Sequence, residues 1–480
     1  MKALHKGRGL LGLLLVCLLL FAGCREVENV IAPVQPEPTP LLTILVEELP
    51  ESLDPLAADT PESIVLAGYL CDGLLEFNPE TGRPAPCLAQ SWDVSEDGLT
   101  LTLYLETGVT FADGTAVNAQ AVVQNIQRWQ SQGSDQLKDQ LSSIQSMRTA
   151  GTNQVVLTLS QPDAGLFTVF CAPETGLVSP NAIQAGTVSQ DPQGAGSYQL
   201  EEQRDILIRL ARREDYFRGV PSHQQVEFRN ANAQLAQEWM NQSQDYVVVG
   251  ELVSDVAVSN GYERYNATGF QSYQLYLNLQ RLPLNTVRQL IGQTIQTEVT
   301  IPNGCLDQGG LLPDAVYQGE DITFSSNTNA TLAQYSYSSL TLICSNDASV
   351  LSLALRVQEA LESQHCTVTI QSLEEDEFTQ AIAQGDYHLC LMKENILDCS
   401  DWLEKFSQSD TDPAHLQNDS MAKWAQWLCQ LNYDKARTDG LQEFCSMLAQ
   451  QAVVVPICQS GISILSSQEY YLDPWGSFLA

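Results

Sequence analysis

The chain has 480 residues, 44% of them hydrophobic, with 58 acids against 23 bases and a formal net charge of −35. A field of that sign repels phosphate backbones, which argues against nucleic-acid binding; it reads as a soluble surface facing the outside medium. The length is too great for one small core and implies two or three domains or lobes.

The first residues divide into three parts. Met1 to Gly9 carries Lys2, Lys6 and Arg8 and no acid, Leu10 to Ala22 is apolar apart from Gly12 and Cys17, and Ala22-Gly23 precedes Cys24. A basic head, a short apolar core and small residues before a cut describe a secretory signal. A spanning helix needs roughly 20 apolar residues, more than this run holds. The small pair before Cys24 resembles the lipobox of bacterial lipoproteins, which implies lipidation of Cys24 as the new N-terminus, with Phe21 where leucine is usual. The alternative is a plain secretory signal with Cys24 incidental. Residues 24–40 carry Pro33, Pro36, Pro38 and Pro40. Proline-rich polar sequence stays extended, so this stretch reads as a tether between a membrane anchor and a folded body.

The body begins with a strand at Leu41 to Val46, broken by Ser52-Leu53-Asp54-Pro55. Apolar spacing predicts a buried helix over Pro61 to Phe77. Leu99, Leu101, Leu103 and Leu105 alternate with Thr100, Thr102 and Tyr104, which predicts a strand pair over Asp93 to Phe111. Asn118 is placed to cap a helix running to Gln130. Short strands follow at 155–159, 197–200, 206–210, 225–228, 246–249 and 273–279. From Leu340 the pattern changes to strand (340–343), helix (348–363), strand (367–370), helix (377–384) and strand (387–392), the spacing of βαβ units in a parallel sheet. Late helices are predicted at 420–430 and 440–451, and two final strands at 453–457 and 462–465.

Thirteen cysteines are present. Cys17 leaves with the signal and Cys24 is the lipid site, so eleven remain, an odd number that rules out complete internal pairing. Cys344, Cys390 and Cys458 sit inside apolar runs and read as core thiols. The scattered histidines show no metal-ligand spacing, and no cofactor is expected.

The segments in this order resemble the extracellular solute-binding proteins of family 5, the oligopeptide, dipeptide and nickel receptors of ABC importers. The resemblance runs through Ser52-Leu53-Asp54-Pro55, Tyr69-Leu70-Cys71-Asp72-Gly73-Leu74 and Pro86-Cys87-Leu88-Ala89-Gln90-Ser91-Trp92. It continues through Gly108-Val109-Thr110-Phe111-Ala112-Asp113-Gly114-Thr115, Gly194-Ala195-Gly196-Ser197-Tyr198, Arg213-Glu214-Asp215-Tyr216-Phe217-Arg218-Gly219 and Val287-Arg288-Gln289. It implies an α/β, two-lobed periplasmic-binding-protein-like fold with hinge strands and an extra subdomain in lobe one. The expected division is signal 1–23, tether 24–40, lobe one with its subdomain 41–275, lobe two 276–455 and a return to lobe one over 456–480. The expected crossings are Tyr273 to Leu279 and Val453 to Cys458.

In peptide-binding members an aspartate pairs with the ligand's amino group three residues before a D-P or E-P pair and an aromatic-leucine step. The matching stretch here is Asn395-Ile396-Leu397-Asp398-Cys399-Ser400-Asp401-Trp402-Leu403. Asp398 takes the place of the D, Cys399 replaces the proline and Trp402 the aromatic, so the amine position is Asn395. An amide lacks the charge for a charge-assisted bond to an ammonium. Glu394 substitutes if the register slips by one. Tyr69 is a weaker ligand candidate, with Trp129 beside it; the alternative reading of Asp398 and Trp402 is a turn carboxylate and a core aromatic. The resemblance implies a monomer that captures a small ligand, a peptide foremost, and passes it to a permease and its ATPase, held by lipid on the outer face of the cytoplasmic membrane in a cell lacking an outer membrane. A sensor for a non-peptide solute is the alternative. An enzyme is the remaining rival, because Ser420-Met421-Ala422-Lys423 matches S-x-x-K, but its partner motif K-T-G is absent.

Overall fold

The computed structural model describes residues 41–480, apart from 79–82, 244–245, 259–260, 318, 327–330, 408–411, 417, 430–434, 471, 477, 479–480 and the side chains of 401, 435 and 436. Residues 1–40, with the expected signal, Cys24 and the expected tether, lie outside the described residues.

One long sheet organises the body. Its strand order is Thr367–Leu373, Ser339–Ser345, Leu389–Asn395, Glu263–Leu277, Val454–Ser466, Tyr246–Val248, Leu41–Val46, Gln225–Asn230, Leu207–Arg212 and Tyr198–Arg204, with the short strand Cys305–Asp307 added against Val454–Ser466. Leu41–Val46 is flanked by parallel partners on both sides and buries five of its six residues, as a strand covered on both faces must. At the other end, Ser339–Ser345 runs parallel to both Thr367–Leu373 and Leu389–Asn395, linked by helices Ala348–Glu362 and Glu375–Gln384. This is the βαβ order that the spacing predicts. The two ends are joined by two long antiparallel strands, Glu263–Leu277 and Val454–Ser466.

A separate antiparallel sheet, Ala89–Val94, Thr100–Leu105, Gln154–Leu159 and Ile144–Thr149, forms the subdomain. Leu101, Leu103 and Leu105 point into its core, where they meet Val122, Ile126 and Trp129 of helix Ala119–Gln132. The side-chain oxygen of Asn118 accepts from the Ala121 amide at 3.0 Å and starts that helix. Trp129 is therefore core, as is Tyr69 (below).

Three expectations change. The helix at Pro61 ends at Leu70, not Phe77; Thr60 and Ser63 form a capping box at its start, and Leu75–Phe77 becomes a strand against Pro84–Pro86. It stops because Cys71 is extended and Gly196 packs its backbone on Leu70. The Gly196 amide donates to the Leu70 carbonyl at 3.0 Å, and a Cβ on Gly196 would stand 2.5 Å from the Leu70 carbonyl carbon. The strand pair around Leu99 lies earlier, because Asp97-Gly98 is its turn and residues 106–117 are mostly irregular. The two final strands are one, Val454–Ser466. Gln459-Ser460-Gly461 looks like a break, but partners on both sides hold it in the sheet.

Candidate functional site between the strand ends

The pairing registers decide where a ligand could meet the sheet. Glu263–Leu277 runs toward the Leu389–Asn395 end, and Leu389–Asn395 is antiparallel to it, so Asn395 points back toward the Leu41–Val46 end. Tyr246–Val248 is antiparallel to Val454–Ser466, and Leu41–Val46 is parallel to Tyr246–Val248, so Val46 points toward Asn395. The carboxyl ends of both parallel strand sets thus face each other across the crossing strands. In open α/β sheets those ends are where ligands bind.

On the Asn395 side, the strand end is wired to its neighbours. Asn395 pairs with Gln271, and the Ile396 amide donates to the Phe270 carbonyl at 2.9 Å. Asn395 is exposed, as is Lys393. The Lys393 ammonium donates to Asp347 at 3.2 Å, and Asp347 accepts from the Ser349 amide at 2.7 Å at the start of helix Ala348–Glu362. The Ser349 hydroxyl and Lys393 hold the Asp347 carboxyl down at about 2, so it is ionised at any working pH. The Tyr273 hydroxyl meets the Ser349 hydroxyl at 3.1 Å.

Glu394, Asp398 and Trp402 lie beneath this rim. The Trp402 indole is wholly buried and donates to Gln274 Oε1 at 2.9 Å and the Tyr276 hydroxyl at 3.1 Å. Tyr276 in turn donates to Glu394 Oε2 at 2.8 Å, and the Lys405 ammonium stands 2.7 Å from Glu394 Oε1. Burial and the Glu394 charge push the Tyr276 phenol well up, so it stays a donor. Asp398 is 1% exposed; its carboxylate accepts from the Ser400 amide at 2.8 Å and pairs with the Arg437 guanidinium. Tyr69 sits at the far end of the chain's first helix with its ring edge-on to Tyr198, Phe228 and Phe478. Glu394, Asp398, Trp402 and Tyr69 are thus packed side chains, and Asn395 is the candidate that reaches solvent. Lys393, Asp347 and Tyr273 join the rim without having been singled out in the sequence. Asp347 had a local signal, an acid before an apolar helix; the other two have meaning only through the register.

The subdomain also reaches this rim. Leu397 packs into the subdomain core, and a Cβ on Gly165 would lie 3.8 Å from Asp398 Cβ. Burial, with the Asp398 charge added, pushes the Asp163 carboxyl up despite a bond from Ser143; burial and the Asp163 charge do the same to Glu404. On the Val46 side, a cavity of about 690 Å³ is lined by Glu47, Glu48, Glu51, Asp59, Glu62 and Glu251. A second cavity of about 490 Å³ between helices Asn285–Glu298 and Lys435–Gln450 shares no lining residue with the rim. Among the described residues, no group of three or more His, Cys, Asp or Glu side chains is arranged to hold a metal ion.

Comparison with known proteins gives this geometry a context. Over 154 residues the chain is 32% identical to the glutathione-binding protein GsiB of Escherichia coli O1:K1, an alignment covering 31% of this chain and 30% of that relative's length. The fold is similar to HbpA2 from Haemophilus parasuis, with a TM-score of 0.77 at 19% identity, over 92% of this chain and 98% of that one. It is also similar to the unliganded open form of MppA, a periplasmic murein tripeptide binding protein, with a TM-score of 0.74 at 19% identity, over 92% and 96% of the two chains. These structures show the two-lobed α/β fold of periplasmic binding proteins. Residues 83–289 match the profile described as bacterial extracellular solute-binding proteins, family 5 Middle.

Proposed function

We propose that the protein is the solute-binding receptor of an ABC importer, capturing a small peptide between its lobes and presenting it to a membrane permease. The observation that carries this reading is the facing of the two sets of strand carboxyl ends across the crossing strands. Two crossing strands permit one lobe to turn against the other. A ligand drives closure only by binding the closed form better than the open one. Enclosure then removes water and strengthens each polar contact to the ligand. Peptide is the favoured class because GsiB is named for glutathione and MppA for a murein tripeptide.

The lobes in this reading are 41–275 with the subdomain, 276–455, and a return over 456–480. Asn395, Lys393 and Asp347 form the polar rim of the second lobe, across from Glu47, Glu48 and Glu51 of the first. Glu394, Asp398 and Trp402 act one layer below, setting the position of the strand end. The protein is a monomer without turnover; Ser420 and Lys423 lie exposed on helix Asp419–Cys429. Cys24 carries the lipid that holds the protein at the cell surface, and residues 24–40 give it reach.

The test is a thermal-shift screen with di- to hexapeptides. Ligand that binds only the folded form raises the melting point by mass action. Shifts with sugars or polyamines, and none with any peptide, would overturn the peptide assignment.

A further inference from the structure

The described residues hold eleven free cysteines, nine of them buried, with Cys305 and Cys429 partly exposed. Two of these thiols are brought together by the sheet. The short strand Cys305–Asp307 pairs antiparallel with the second crossing strand, Cys305 opposite Ser460 and Asp307 opposite Cys458. Cys305 and Cys458 are therefore diagonal neighbours on one face. Diagonal partners in such a ladder have Cα atoms about 7–8 Å apart, while a disulfide spans at most about 6.8 Å. Roughly an ångström of approach remains, and the strand that would supply it is three residues long, with Gly304 before it at a φ of 81° and Gly309-Gly310 after it.

We propose that Cys305 and Cys458 are an exchange pair that closes reversibly into a disulfide by reaction with low-molecular-weight disulfides. The asymmetry between the thiols supplies the mechanism. The neighbouring Cys458 thiol holds the Cys305 thiol down at about 7, against burial and with help from the Lys393 ammonium. The same pairing, together with burial, pushes Cys458 up. Near neutral pH Cys305 is thus the thiolate, and the thiolate is the nucleophile. It attacks one sulfur of the small disulfide, breaks that S–S bond and releases one small thiol, leaving a mixed disulfide on Cys305. Cys458 then gives up its proton and attacks Cys305 Sγ, expelling the second small thiol. The small disulfide gains two electrons and the two protons that the cysteines lose.

The bridge would fasten the short strand to the second crossing strand opposite Tyr273, beside the register shift between Tyr273 and Gln274. If the crossing strands serve lobe closure as proposed above, oxidation stiffens that movement. The bond itself does not rest on that reading, so it is tested separately.

The folded full chain is incubated with hydroxyethyl disulfide and mapped by mass spectrometry without reduction. The expected product is a Cys305–Cys458 linked peptide in a protein lighter by two hydrogens. Its rate of formation rises with pH through about 7. Cys458→Ser is expected to stop at a mixed disulfide on Cys305, and Cys305→Ser to form no adduct at Cys458. A wild-type product that carries the small thiol on Cys305 without closing, or reaction at Cys429 ahead of Cys305, overturns the proposal. A conservative Cys305→Ala variant that melts as wild type keeps a loss of bridging from being a folding defect.

Discussion

Replacing Arg437 with Met separates a structural role for Asp398 from a ligand-binding one. Both side chains are nearly sealed from water, at 3% and 1% exposure. Removing the guanidinium leaves the Asp398 carboxylate buried without its counter-charge, a change that costs about 3–5 kcal/mol. At ~2.1 cal/mol/K per residue, a body of ~440 residues unfolding as one has an entropy near ~0.9 kcal/mol/K, so the melting point falls by about 3–5 °C. The assay is a thermal melt with and without a binding peptide. Arg437→Met lowers the melting point while the peptide-induced shift persists. The double variant Arg437→Met with Asp398→Asn recovers part of the loss, because no charge is then stranded. If Asp398→Asn instead abolishes peptide binding at an unchanged melting point, the carboxylate works on the ligand and the buried-pair argument fails.

Other outcomes follow from the same geometry. Asn395→Asp restores a carboxylate at the exposed strand end and strengthens peptides with a free amine by about 1.5 kcal/mol, roughly tenfold; calorimetry showing the same gain for N-acetylated peptides would contradict this. Trp402→Phe removes the donor to Gln274 and lowers stability by about 1–3 kcal/mol, with peptide affinity retained; denaturant unfolding reads the first and calorimetry the second. Burial lifts Asp72 from 3.8 to about 7, against the Tyr216 hydrogen bond. An acid raised in the fold is destabilising when charged, so stability rises as pH falls through 7 toward 3.8, by on the order of 4 kcal/mol for a fully buried group. Asp72→Asn is expected to flatten the rise in melting point between pH 8 and pH 5; an unchanged slope assigns it to another group. Cys24→Ser releases the protein from membranes, and detergent partitioning that still retains it refutes the lipid anchor.

Local structure was largely legible. Alternation at 99–105, the cap at Asn118 and the strand–helix rhythm after Leu340 are short-range signals, and the structure follows them within a few residues. The misjudged elements are those where a distant partner overrides local preference. Val454–Ser466 passes through Gln459-Ser460-Gly461 because strands on both sides hold it, and the first helix stops where Gly196 seats on Leu70.

The burial of the candidate side chains was not legible in the sequence. Motif spacing picks out residues 394–402 but cannot report that Trp402 is buried or that Asp398 meets a guanidinium 39 residues onward. Which side chain faces water depends on strand direction and on what packs from the other side, and those are properties of the assembled sheet. What the sequence determined alone was the order of elements and the acidic character, since these are written in neighbouring residues and composition. What tertiary structure decided was the facing of the strand ends, the burial of four of five candidates and the meeting of Cys305 with Cys458, because each depends on segments far apart in the chain arriving at one register.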